Sequence, residues 1–444
     1  MEAEPDRIEP SAPHLLGDEQ AAAILVAVEE GFEEQLQFTE ELVRFPSERG
    51  HEHTCQEFVH EALRGRGYKM DRWVIDVDEL KDHPAFSPVV VSYDNAVNVV
   101  GTHVPREAKG RSLILNAHID VVPTGPLEMW SRPPHEPWRN GDWLYGRGAA
   151  DMKAGLAANI YAMDALRRLG YQPAATLYQQ SVTEEECTGN GTLACLVRGY
   201  HADAIICPEP EDDMLVRANV GVLWFQIRIN GHPAHVREAA SGSNAILAAY
   251  RIIDALYELA EQWNGQKQRY PYFENLPHPI NCNVGLIQGG EWTSSVPSWC
   301  NVDVRMAIYP GDKATDRQRE IETCLRRASA DHPFLANNPP EIVWTGSLRE
   351  GYVLNEGSEA ERVLARAHQR SFGGPLASFV TSGGLDGGYF ILWDGKPCLT
   401  YGPYSENIHG FDERVRIGSV KKVTGAIALF IAEWCGLEPV EAGG

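Results

Sequence analysis

A chain of 444 residues exceeds what one hydrophobic core normally serves, since such cores stop growing near roughly 250 to 300 residues, so two domains are expected. With 43% hydrophobic and 23% charged residues the composition is globular, which excludes disordered, collagenous and membrane classes. Asp and Glu total 62 against 39 for Lys and Arg, and a net charge of -23 repels phosphate backbones and anionic lipid, so neither nucleic acid nor a membrane surface is an expected partner.

Residues 1–20 are acidic and proline-containing, without the cationic segment and apolar stretch of a signal peptide, and are expected to form a loosely held arm. From Ala21 to Val43 apolar residues recur at helical spacing (Ile24, Leu25, Val28, Phe32, Leu36, Leu42) until Pro46 stops the run. A second helix is predicted from about Glu52 to Arg66, with Gly67 as its C-cap. Buried strands are predicted at Val89 to Tyr93, Asn98 to His103 and Leu113 to Ala117, then a helix from Met152 to Leu169. Strands at Thr176 to Val182 and Ala204 to Cys207 flank a helix near Gly191 to Val197. Strands alternating with helices predict an α/β domain with a mostly parallel sheet, its first part spanning residues 21–216.

At about Arg217 the pattern changes. A long alternating strand, Val220 to Ile229, is followed by a helix (Asn244 to Leu259), strands at Asn281 to Ile287 and Val302 to Ile308, a helix (Asp316 to Ala328) and a strand (Glu341 to Thr345). This β-α-β-β-α-β order is ferredoxin-like and predicts an α+β domain inserted over residues 217–346. The α/β pattern resumes over residues 347–444, with helices near Glu359 to Phe372 and Ser419 to Cys435 and a strand at Pro397 to Tyr401. The nine cysteines are odd in number and form no C-x-x-C pair, which fits reduced cytosol rather than a disulfide framework. No apolar run approaches the roughly 18 residues of a membrane span.

Five polar sites stand out. The strand Leu113 to Ala117 runs into His118-Ile119-Asp120, whose period-2 alternation puts His118 and Asp120 on one side, at the sheet edge where open α/β sheets bind ligands. A metal-binding histidine commonly donates its other ring N–H to a carboxylate, and Asp120 is in reach; a simple His-Asp pair at a strand end is the alternative. Asp151 closes the turn Tyr145-Gly146-Arg147-Gly148-Ala149-Ala150-Asp151 and alone reads as an ordinary N-cap. Glu184-Glu185-Glu186 after a buried strand repel one another, a cost a divalent cation offsets; a solvated acidic turn is the alternative. Glu209 stands between Pro208 and Pro210, and His409 in a late turn. Sheet topology would gather these sites, and two histidines with aspartate and glutamates form a nitrogen-and-oxygen set suited to zinc, with cobalt or manganese also compatible.

With His118-Ile119-Asp120-Val121-Val122-Pro123, Gly146-Arg147-Gly148, Asp151-Met152-Lys153, Glu184-Glu185-Glu186, Glu209-Pro210 and His409, the chain resembles the M20 metallopeptidases over roughly Glu30 to Gly436. These include acetylornithine deacetylase, succinyl-diaminopimelate desuccinylase, aminoacylase and carboxypeptidase G2. The resemblance implies two zinc ions bridged by Asp151 and a water, one also held by His118 and Glu209, the other by Glu186 and His409. It implies Glu185 as general base, Asp120 as the partner of His118, and a cis peptide bond after Asp151. Glu184 stands where relatives commonly carry aspartate.

The segment Gly231-His232-Pro233-Ala234-His235 resembles the family's dimerisation segment, which makes His235 the expected oxyanion donor to a partner subunit and a homodimer the expected assembly. Arg305 matches the family's substrate-carboxylate arginine, although Ser294-Ser295 precede Val296-Pro297 where many relatives have asparagine. Ser382-Gly383-Gly384 with Asp386 resembles its Gly-rich substrate loop, so Gly383 and Gly384 are expected at the substrate. The implied activity is that of a cytoplasmic metal-dependent deacylase cleaving the amide of a small N-acyl amino acid. Dipeptide hydrolysis and N-carbamoyl or ureido hydrolysis are alternatives within the family, and a non-catalytic metal-binding relative is an alternative of another class. No G-x-S-x-G elbow supports a serine hydrolase.

Overall fold

A computed structural model describes residues 15–440. Residues 1–14 of the expected arm lie outside this range; Leu16 is buried, and the first helix, Asp18–Val43, opens three residues before the apolar periodicity indicated. Asp18 and Glu19 sit in its first turn, where the helix dipole favours negative charge.

A six-stranded sheet carries the first core. Its order is Lys69–Val74, Val97–His103, Leu177–Val182, Leu113–His118, Ala204–Cys207, Cys398–Thr400. The first two pairings are antiparallel and the last three parallel. Leu113, Ile114, Leu115, Ile205 and Ile206 are fully buried, as a strand covered on both faces requires. Helices Ala154–Arg168 and Ile417–Trp434 supply much of that cover, and the second is buried along nearly its whole length.

The three parallel neighbours Leu177–Val182, Leu113–His118 and Ala204–Cys207 end side by side, with His118 opposite Val182. Their carboxyl ends therefore deliver Glu184-Glu185-Glu186, His118 and Glu209 to one edge. This follows from topology: hydrogen-bonded parallel strands about 4.8 Å apart bring sequence-distant loops together.

A second sheet has the order Cys282–Gly289, Trp299–Ile308, Gly221–Asn230, Glu341–Arg349, antiparallel throughout. With helices Ala245–Asn264 and Ala314–Ala330 it keeps the predicted β-α-β-β-α-β order. One face packs on those helices through Phe225, Ile227, Ile252, Leu256, Val302 and Ile321. The chain enters the second core through Leu215–Asn219, which pairs in parallel with Ser378–Thr381, and the latter leads straight into Ser382-Gly383-Gly384.

Two strand expectations are corrected. Val89 to Tyr93 forms no strand: Val90 is 43% exposed, and the segment instead leads to Tyr93, whose hydroxyl donates to Glu184. The antiparallel edge strand is Lys69–Val74, whose polar, half-exposed sequence gives no apolar run to detect. The strand expected to stop at Thr345 continues to Arg349. Gly346 reads as a terminator but sits at φ 63° beside a register shift opposite Leu223 and Phe225, and a Cβ there would meet the Trp224 ring at 2.6 Å. It is a bulge glycine inside the strand.

Candidate active site

His118 closes its strand fully enclosed. Its Nδ1–H donates to the backbone oxygen of Asp120 at 2.9 Å, which turns Nε2 toward Asp151 Oδ1 at 3.1 Å and Glu209 Oε2 at 3.6 Å. The expected Asp120 partnership is thus made mainly by its carbonyl; the carboxylate lies 3.6 Å from Nδ1. That carboxylate accepts the backbone N–H groups of Glu185 at 3.3 Å and Glu186 at 3.1 Å, fixing the turn that presents both glutamates.

Asp151 is not a helix N-cap. It lies in a π-turn, Ala149–Lys153, with non-helical φ and ψ and a cis peptide bond to Met152. The backbone N–H groups of Ala150 and Asp151 donate to Glu413 Oε1 at 3.0 and 3.2 Å, and Arg147 Nη1 donates to Glu413 Oε2 at 2.6 Å. So held, the Asp151 carboxylate faces two ways. Oδ1 meets His118, and Oδ2 lies 3.3 Å from His409 Nε2, which is itself 3.0 Å from Glu186 Oε2. Glu184 at φ 67° and His409 at φ 60° occupy the left-handed region, which side-chain-bearing residues enter at a cost near 1–3 kcal/mol and mostly at functional sites.

The donor atoms form two groups, His118 with Asp151 and Glu186, and His118 with Glu185 and Glu209; within each group they lie within 4.8 Å of one another. Burial raises the pKa of Asp120 to about 7, lifts Glu209 well above the carboxylate range, and raises Glu186 with help from Asp151. Burial works against protonating His118, but Glu209, Asp151 and Asp120 outweigh it and hold its pKa well above the usual imidazole value. The Glu186 carboxylate drives His409 up to about 11. Burial opposes ionisation of Asp151 too, yet His118 and His409 keep it charged far below the normal range. Buried carboxylates this close, relieved by the two imidazoles and, at Glu185, by the Arg349 guanidinium, are a donor set that fits divalent metal.

The cluster floors a cleft of about 460 Å³ whose walls include Arg305, Arg349, Trp224, Gly383 and Gly384. Arg305 Nη2 donates to the Ser382 backbone oxygen at 2.8 Å, and among the described residues no carboxylate pairs with it. Burial, with the nearby Arg349 charge, brings its pKa down to about 10. Sequence reasoning missed Arg349, whose Nη1 donates to Glu185 Oε1 at 2.8 Å, and Glu413 behind the site; Asp386, expected with the substrate loop, is instead buried behind Arg349. His235, by contrast, is not brought into this cleft. It is exposed, its Nδ1 accepts the Arg237 N–H at 3.1 Å, and it bridges Ser295 through the backbone.

No helix among the described residues is long and apolar enough to cross a membrane. Over 443 aligned residues the chain is 29% identical to the N-formyl-4-amino-5-aminomethyl-2-methylpyrimidine deformylase of Bacillus subtilis, covering 94% of this chain and 98% of the relative. It is 26% identical to the succinyl-diaminopimelate desuccinylase of Delftia acidovorans, covering 87% of this chain and 95% of that one. The fold matches the di-peptidase Dug1p of Saccharomyces cerevisiae with a TM-score of 0.76 at 13% identity, over 94% of this chain and 98% of that chain. Peptidase family M20/M25/M40 matches residues 114–433, most of the chain. With that match spanning the strand ends, the Asp151 turn and His409, the chain belongs to peptidase family M20/M25/M40 and is a metal-dependent hydrolase of that family.

Proposed function

We propose that this hydrolase removes a small acyl group from the nitrogen of an amino-acid-like substrate, using Glu185 as general base. The observation that carries the reading is the position of Glu185, a carboxylate in one donor group with His118 and Glu209 yet facing the cleft. The ligands are His118, Asp151, Glu186, Glu209 and His409, with Asp151 offering one oxygen to each side, and zinc is the metal best suited to them. Divalent metal held there supplies Lewis-acid polarisation of water and of the amide carbonyl.

The protein's own groups do the rest. Glu185 takes the proton of the attacking water and delivers it to the departing amine, a transfer worth about 10²–10⁴-fold in rate. Asp120 keeps the Glu185-Glu186 turn in place through its two accepted N–H bonds. Arg305 and the loop at Gly383 and Gly384 receive the substrate's anionic end. The relatives named above as a deformylase and a desuccinylase support acyl removal, and a cleft arginine without a carboxylate partner favours an anionic N-acyl amino acid over a neutral formylated amine.

The assembly proposed is a homodimer through the second sheet. Its edge strand Cys282–Gly289 leaves Leu286 and Ile287 exposed, with Trp292, Leu247 and Tyr250 nearby in sequence or on the adjoining helix. Such pairing would offer the exposed His235 of one subunit to the developing oxyanion in the other.

The test is a panel of N-formyl, N-acetyl and N-succinyl amines and amino acids, dipeptides and ureido compounds, assayed before and after chelation and after zinc, cobalt or manganese is restored. Metal-dependent turnover of anionic N-acyl substrates is expected. Turnover confined to dipeptides or ureides, or surviving full metal removal, contradicts the reading.

A further inference from the structure

Arg349 is the last residue of the bulged strand Glu341–Arg349 in the second sheet, yet its side chain ends inside the first core's catalytic edge. The side chain is 11% exposed. Nε donates to Ser347 Oγ at 3.0 Å, Nη1 to Glu185 Oε1 at 2.8 Å, and Nη2 to the Glu185 backbone oxygen at 3.0 Å. Nη1 also lies 3.4 Å from Asp386 Oδ1, while Thr192 Oγ1 anchors the other Asp386 oxygen at 2.6 Å. All three guanidinium nitrogens are thus committed to protein groups. Among the described residues Arg305 has one backbone carbonyl and no carboxylate, so the two cleft arginines divide the work: Arg305 can take a ligand and Arg349 is committed.

A guanidinium that grips one residue at both its carboxylate and its own carbonyl removes most of that side chain's rotational freedom. One Glu185 oxygen is pinned, which leaves the other for the proton of the attacking water. The grip also crosses between the two cores: Arg349 belongs to the second sheet, Glu185 and Asp386 to the first. The Gly346 bulge redirects the strand just before Arg349, as bulges beside active sites do.

We infer that Arg349 is a positioning residue that holds Glu185 in its reactive orientation and makes that orientation depend on the second sheet being seated on the first core. The inference rests on Glu185 being the base. It does not make Arg349 a substrate ligand, and that distinction can be measured.

Arg349→Met and Arg349→Lys are compared with wild type on whichever N-acyl substrate of the panel the wild type hydrolyses fastest, in both the Glu185 and Glu185→Gln backgrounds. Loss of positioning is expected to lower kcat about 10²-fold with KM little changed. Lysine, which keeps the charge but not the two-point grip, should recover only part of the loss and shows that the variant folds. In the Glu185→Gln background the same substitution should have no further effect on kcat. An unchanged kcat, or an equal loss without Glu185, overturns the inference. Zinc-loaded crystals of the wild type and of Arg349→Lys give a readout that needs no substrate: a displaced Glu185 carboxylate in the variant is expected, and Glu185 at its wild-type position overturns the proposal. Should the wild type hydrolyse no N-acyl amide, the proposed reaction fails on its own and this crystallographic comparison decides the role of Arg349.

Discussion

Glu413 accepts the backbone N–H of Asp151 at 3.2 Å from 262 residues further along the chain, and its second oxygen takes the buried Arg147 guanidinium. Removing that carboxylate leaves Arg147 without its ion-pair partner in the interior, a change that typically costs 3–5 kcal/mol. Glu413→Ala should therefore lose about that much stability in urea unfolding and also bind zinc more weakly, because the Asp151 turn loosens. Wild-type stability with wild-type metal affinity would contradict this role.

Arg305 should separate substrates by charge. A charge-assisted hydrogen bond contributes about 1.5–3 kcal/mol, so Arg305→Met is expected to raise KM for anionic N-acyl amino acids by roughly 10- to 100-fold. Neutral N-acyl amines should be affected little. Equal losses on both, measured as kcat/KM, would remove Arg305 from substrate recognition.

Glu52 contributes to the pH response of the metal-free protein, together with Glu211 and Asp386, which burial also raises to about 8. Glu52 is buried, and among the described residues neither carboxylate oxygen has a side-chain hydrogen-bond partner. Burial first, then the charges of Asp120 and Glu184, raises its pKa to about 8. The folded state therefore keeps a proton that the unfolded chain releases near pH 4, so stability is greatest in acid and falls as pH rises from about 4 to about 8. Asp120, raised to about 7, acts in the same direction. The Glu52 contribution is on the order of 3–5 kcal/mol at full ionisation. Melting temperature of the metal-free protein should decline over that range, and Glu52→Gln should flatten the decline; an unchanged slope would contradict it.

His235 tests the shared site. Subunits carrying His235→Ala are expected to be nearly inactive, as are subunits carrying Glu185→Gln. Mixed dimers should regain activity, because one of their two sites combines an intact Glu185 with an intact His235. No recovery on mixing, or full activity of His235→Ala alone, would show that the site does not need a second subunit.

Much of the site was legible because its residues terminate strands. His118, Glu185, Glu186 and Glu209 each close or follow a buried strand, and neighbouring parallel strands bring such ends together whatever their spacing in the chain. Arg349 and Glu413 carried no comparable signal. Arg349 was hidden behind Gly346, which in sequence looks like a strand terminator and in the structure is a bulge. Glu413 lies in the charged run Phe411-Asp412-Glu413-Arg414, indistinguishable from a solvated turn until Arg147 is seen against it. The Asp120 carboxylate shows the same limit: alternation places it near His118 but does not reveal that two backbone N–H groups from another loop claim it. Polar strand Lys69–Val74 was missed because an edge strand needs no apolar run to pair.

The proposed chemistry turns on a base distinct from the metal ligands, and turnover of Glu185→Gln with metal content measured on the same sample tests that most directly. A fall in kcat of about 10²–10⁴-fold is expected, with metal content equal to wild type. Turnover at the wild-type rate, or a loss of activity that merely tracks a loss of metal, would contradict it.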